Sequence, residues 1–170
     1  MQTKENRFKY NEKEVRSVQE AINMSTSPSW EHQIVCDNLV SVIKGKSPCQ
    51  PISNLSVKLE KNGNVMNEFI QPDVAVYCER PEKIIGGYKG RPLIVIEVVS
   101  PSTYKIDVTL KKDLYCAYGV EEYWIVDPYN KTIRQCTLEH DRYAETIIAC
   151  GETFDSVIGT IDTALVFQGV

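Results

Sequence analysis

Histidine is scarce in this sequence: His32 and His140 are the only 2 in 170 residues. Cysteine occurs at positions Cys36, Cys49, Cys78, Cys116, Cys136 and Cys150, yet no two form a CxxC pair. Together these gaps argue against a zinc site, which needs closely grouped His and Cys ligands. Wide, irregular spacing in apolar surroundings reads as reduced, packed thiols of the cytosol, not as a disulfide framework. Long hydrophobic runs are missing too; none reaches the ~18 residues of a membrane span. The opening stretch, MQTKENRFKY, lacks the apolar centre of a signal peptide. The expectation is a cytoplasmic protein with no membrane partner. Excess positive charge is also absent. The net charge is −4, which argues mildly against bulk attraction to nucleic acid. Repeats and low-complexity linkers are not found. Residues 1–170 are expected to form one domain, with a core at about 27–128 and C-terminal strands over 129–170.

What is present follows a clear order. Asn11 to Met24 reads as a first helix. Ser27 and Pro28 set up a second, as cap and first position. Trp30, Ile34, Val35, Leu39, Val42 and Ile43 keep helical spacing until Gly45. Ile52, Leu55, Val57 and Leu59 then alternate as a strand, and Asn62-Gly63 signals a hairpin. Val65 to Ile70 is the expected return strand, leading through Pro72 into DVAVYC. Arg80 to Arg91 reads as a loop. Leu93 to Val99 is an apolar strand stopped by Ser100-Pro101. Asp107 opens a helix that Gly119 ends. Tyr123 to Val126 is a short strand. Thr132 to Leu138 and Tyr143 to Ala149 pair around Glu139-His140-Asp141. The order is αβββαβ with extra C-terminal strands: an α/β or α+β sheet flanked by helices.

One residue does not suit its strand. LIVIEVV, from Leu93, has six aliphatic residues and Glu97. A continuous aliphatic strand is usually covered on both faces. A carboxylate there needs a proton, a basic partner or a metal, because an unpaired buried charge costs several kcal/mol. A buried salt bridge or a strand end in solvent would also explain it. Asp73 follows Pro72, which favours a strand start or edge. That puts a second acid beside the strand of Glu97. Two acids at neighbouring strand ends make a hard-oxygen pocket suited to Mg²⁺ or Mn²⁺. On the next helix, Leu110, Leu114, Ala117 and Tyr118 form the apolar stripe, and Asp107 and Lys111 fall on the same side. Lys111 can point to the acids, or snorkel to the surface. From Arg80 to Lys112 there are seven Lys and Arg against three acids. Two acids with a nearby lysine suit metal-dependent phosphodiester cleavage.

Four segments in order make a resemblance specific: PDVAVY, GRPLIVIEVVSPST, DVTLK and YCAYGVEEYWIVDP, between Pro72 and Pro128. They resemble the Uma-type putative restriction endonuclease family, a former domain of unknown function in the PD-(D/E)XK nuclease superfamily. SPSWEHQIV resembles the family's first core helix, including His32. The resemblance implies a restriction-endonuclease-like core. It implies Asp73 and Glu97 as ligands of Mg²⁺, with Mn²⁺ as a substitute and the Val98 carbonyl as a third oxygen. It also implies DNA as substrate and a homodimer. The superfamily lysine belongs two residues after the acid, where this chain has Val99. Related families move it to the following helix, and Lys111 matches that place. His32, Ser100 and Asp107 are supporting candidates. His32 could equally be a packed side chain, Ser100 a strand-ending turn, and Asp107 a helix cap, a partner of Lys111, or both. Tyr115, Tyr123 and Trp124 read as core. Two other functions compete: a non-catalytic nucleic-acid-binding or scaffold module that keeps the nuclease fold, and a phosphohydrolase of nucleotides.

Overall fold

The structure, a computed structural model, describes residues 27–170. The helix expected over Asn11 to Met24 lies outside the described residues. The first described helix, α1 (Trp30–Lys44), buries Val35, Cys36, Leu39 and Ile43 along one stripe. Its cap is Ser29, whose Oγ accepts from the His32 amide at 3.2 Å, not Ser27. The extended backbone required of a cap falls on Ser29 itself (φ −72°, ψ 166°), so the helix starts later than expected. Gly45 is the C-cap.

Twelve strands follow in the described chain: β1 (Gln50–Ser53), β2 (Val57–Lys61), β3 (Asn64–Val65), β4 (Val74–Tyr77), β5 (Glu82–Ile84), β6 (Gly87–Gly90), β7 (Ile94–Val98), β8 (Glu122–Asp127), β9 (Thr132–Glu139), β10 (Arg142–Ala149), β11 (Thr153–Ser156) and β12 (Gly159–Asp162). The main sheet has the order β1-β4-β7-β8-β9-β10. Only β7 and β8 pair in parallel; the other neighbours are antiparallel. Helix α1, strands β1, β4 and β7, the helical run over residues 104–117, and β8 reproduce the αβββαβ order. The chain is thus a mixed α/β fold, with β9 and β10 extending the sheet.

Three expected elements differ. The single strand through Ile52 and Leu59 is broken, because Asn54 takes a left-handed φ of 53°. Strand β1 enters the main sheet at its edge, where Pro51 costs no ladder bond. Strand β2 enters a side sheet of order β3-β2-β6-β5. The Asn62-Gly63 hairpin forms, both residues at positive φ as a type I′ turn needs. Its return strand is short: beyond Val65, the Met66 amide donates to the Leu59 carbonyl and Ile70 bridges back to Val57. The expected loop from Arg80 to Arg91 is instead the β5–β6 hairpin. Gly87 is required there, since a Cβ would come within 2.6 Å of the Ser56 carbonyl.

The sheet has an apolar layer on each face. Ile94, Ile96 and Val98 of β7 pack with Val35, Leu39 and Ile43 of α1. Val95 and Val99 point the other way, to Leu114 and Tyr115. Each fully buried Leu or Ile contributes about 2 kcal/mol of transfer free energy. Glu97 shares the face of Val95 and Val99 by strand alternation. The helical run above that face is α2 (Tyr104–Ile106), a π-helical turn (Asp107–Lys111) and α3 (Lys112–Ala117). It begins before Asp107, so Asp107 is an interior residue and not its cap. Gly119 ends the run at φ +73°. A short α4 (Thr163–Val166) lies near the C-terminus.

The cysteine reading needs a correction. Cys49, before β1, and Cys78, after β4, form a disulfide. The two flank paired edge strands, which bring their Cα atoms to 4.1 Å, a proximity the sequence spacing hid. Cys36, Cys116, Cys136 and Cys150 remain free thiols. No helix among the described residues is long and apolar enough to cross a membrane.

Candidate active site

The site forms where β4, β7, α1 and the helical run meet. Asp73 stands just before β4, as its proline suggested. The Val98 amide donates to Asp73 Oδ2 at 2.8 Å, tying the acid to the neighbouring strand. His32 Nε2 lies 3.2 Å from the same oxygen. Among the described residues, both bonds to this carboxylate fall on Oδ2, which leaves Oδ1 without a partner. On β7, Glu97 is 3 % exposed. Tyr115 Oη donates to its Oε1 at 2.8 Å. Lys111 Nζ lies 3.0 Å from its Oε2. The same ammonium lies 2.8 Å from Asp107 Oδ1, so one lysine faces two acids. The π turn buries both Asp107 and Lys111, and π turns often occur at functional sites.

Asp73, Glu97, Asp107, Lys111 and His32 all line one open cavity of about 380 Å³. Val99 lines it too, so the position two residues after Glu97 faces the site with an apolar side chain. Lys111 does not snorkel; it turns inward to the acids. Ser100 also borders the cavity, but its Oγ bonds to the hydroxyls of Ser102 and Thr103 in the strand-ending turn. Val98 meets Asp73 through its amide.

The electrostatics follow from burial. Desolvation is the largest effect on Glu97 and raises its pKa, with Asp73 and Asp107 adding to it. Lys111 and Tyr115 oppose, and the group ends at about 8. Burial likewise raises Asp107, against the pull of Lys111. Burial would lower Lys111, but Glu97 and Asp107 outweigh it and hold the ammonium charged. His32 follows the same pattern: burial lowers it, the Asp73 bond and charge more than compensate, and its pKa rises. Three carboxylates thus face one ammonium and one imidazole. The surplus of hard oxygen donors fits a divalent cation. The basic window from Arg80 to Lys112 is divided: Arg80, Lys83, Arg91 and Lys105 are exposed, while the other three cations face acids. Lys89 is bonded to Glu82, Lys111 to Glu97 and Lys112 to Glu145.

Two residues were missed as site members. Tyr115 read as core because its ring is core; its hydroxyl's partner depends on where β7 passes. Cys36 lies one turn beyond His32, with Sγ 3.7 Å from His32 Nδ1. The i, i+4 spacing could have signalled that pair. His32, Cys36 and Asp73 bring their ligand atoms within 4.8 Å of one another.

The chain has relatives of known fold. The crystal structure of "a putative nuclease belonging to DUF820" from Anabaena variabilis ATCC 29413 is similar over 84 % of this chain and 83 % of that one, with a TM-score of 0.66 and 16 % identity. At that identity the likeness shows the fold alone. Among curated proteins, none matches. A family model described as "Putative restriction endonuclease", Uma2, matches residues 10–160. The chain belongs to the Uma2 putative restriction endonuclease family.

Proposed function

We propose that this protein is a Mg²⁺-dependent endonuclease that hydrolyses phosphodiester bonds in DNA. The observation that carries the reading is the convergence of Asp73, Glu97 and Lys111 on one open cavity. Asp73, Glu97 and the Val98 carbonyl would hold Mg²⁺, with Mn²⁺ as a substitute. The ion, when bound, supplies an activated water and offsets charge on the phosphate. Lys111 orients the nucleophile or stabilises the transition-state charge. Asp107 holds Lys111, and His32 holds Asp73. The substrate of the neighbouring family members' described class, a nucleic acid, supports DNA; the resemblance supports a homodimer. A cytoplasmic location belongs to the same reading, although the Cys49–Cys78 disulfide is unusual there.

Cleavage of plasmid or oligonucleotide DNA with Mg²⁺ or Mn²⁺ tests this. Wild type should cut and Glu97→Ala should not. Equal cutting by both would sink the assignment.

A non-catalytic nucleic-acid-binding or scaffold module is the second reading. It is favoured by the full engagement of Lys111 with two acids, as in a structural buried salt bridge. DNA binding without metal-dependent cutting would favour it.

A further inference from the structure

Glu97 has a partner on each oxygen. Oε2 faces the Lys111 ammonium at 3.0 Å. Oε1 accepts from the Tyr115 phenol at 2.8 Å. Carboxylate oxygens have two acceptor lobes each, so both can still take a further partner from the cavity. The last torsion of a glutamate is broad and soft. With the ammonium as its sole partner, the carboxylate would be free to swing toward that point charge and away from the cavity. The phenol opposes that rotation.

Tyr115 is well placed to hold this geometry. It is 1 % exposed. Its ring packs against Tyr123 with centroids 4.9 Å apart. The Tyr123 hydroxyl itself donates to the Asp107 carbonyl at 3.1 Å and does not touch Glu97, so the support is the ring contact, which a phenylalanine at 123 would keep. The phenol therefore sits on a rigid support and has little freedom to follow Glu97. We propose that Tyr115 is the positioning residue of the metal site: it keeps Glu97 turned to the cavity against the pull of Lys111. This rests on the reading of Asp73 and Glu97 as metal ligands. Removing such an outer partner of a ligand weakens metal binding roughly 10- to 100-fold in known sites.

The test measures metal binding without substrate. Mn²⁺ is titrated calorimetrically into wild type, Tyr115→Phe, Tyr123→Phe and Glu97→Ala, and each is also unfolded in urea. Both Phe variants keep a buried ring and lose one hydroxyl bond, but only Tyr115→Phe frees Glu97. Wild type should bind, Glu97→Ala should not, Tyr123→Phe should match wild type, and Tyr115→Phe should bind at least roughly 10-fold more weakly. Tyr115→Phe binding as tightly as wild type overturns the positioning role and leaves the metal site standing. Equal losses in both Phe variants also overturn it, as a general loosening of the core. Absence of Mn²⁺ binding by wild type overturns the metal site and this role with it. The wild-type near-UV tyrosine difference spectrum gives a second readout that needs no variant to fold. It should change with the calorimetric midpoint; a flat spectrum overturns the proposal.

Discussion

Lys111 and Glu97 are joined across the site: Nζ of the helical residue stands 3.0 Å from Oε2 of the strand residue. Both are buried. Neither charge has bulk water to fall back on. Removing either partner therefore strands the other in the interior.

Lys111→Met should be costly. It leaves Glu97 and Asp107 buried without their cation, a loss of about 3–5 kcal/mol. Urea unfolding at pH 8 measures it. Pairing Lys111→Met with Glu97→Gln should recover part of that loss, because one stranded charge is gone. A double variant as unstable as the sum of the singles would argue against the coupling.

Stability should fall as pH rises. Glu97 has a folded pKa of about 8, above that of an exposed glutamate. Between the two values the folded state holds more protons than the unfolded state, so ΔG of unfolding decreases with pH. His32, also raised, adds to the same trend as pH climbs through its folded pKa. Wild type should be more stable at pH 5.5 than at pH 8.5. In Glu97→Gln the difference should shrink. Chemical unfolding across that range decides it, and an unchanged slope would show that Glu97 does not carry the effect.

Divalent metal should restore stability where protons no longer do. At 100 times its dissociation constant a ligand adds about 2.7 kcal/mol. Metal binding competes with protonation of its ligands. Mn²⁺ should therefore stabilise wild type more at pH 8 than at pH 6, and Glu97→Ala at neither. Thermal unfolding with and without chelator provides the comparison.

Val99 offers a test of where the lysine must act. It lines the cavity two residues after Glu97 and on the same strand face. Val99→Lys combined with Lys111→Met should return a cation to the acids. Metal-dependent cleavage should recover above that of Lys111→Met alone, with about 1–3 kcal/mol lost to overpacking. No recovery would mean that the ammonium works only from the helix.

The disulfide gives a prediction independent of the site. Cys49 and Cys78 are 29 residues apart in sequence. Closing a loop of that size contributes about 3–4 kcal/mol. Double replacement by serine should lower stability by that order, and non-reducing mass spectrometry should find both thiols oxidised in wild type. Two free thiols there would remove the bridge.

Much of the site was legible in the sequence because it is written in local contrasts. A carboxylate in LIVIEVV and a lysine on an apolar stripe each conflict with their surroundings, and the conflict points to a partner. Pro72 marked the strand start that sets Asp73 beside β7. The strand through Ile52 and Leu59 was not legible, because continuous alternation conceals a break at a single residue such as Asn54. The β5–β6 hairpin was hidden for the opposite reason: its glycines and proline resemble a loop, and its strands are defined by β6 pairing with both β5 and β2.

The sequence by itself determined the αβββαβ order of the helices and main-sheet strands, the two acids at strand ends, and a lysine on the core-facing side of the next helix. These depend on neighbours within a few residues. Only the tertiary structure decided the partners. Tyr115 reaches Glu97, His32 reaches Asp73, and Cys49 reaches Cys78 because sheet order brings distant segments side by side. A hydroxyl, an imidazole or a thiol has no periodicity that names its partner. The packing of β4, β7, α1 and the helical run supplies it.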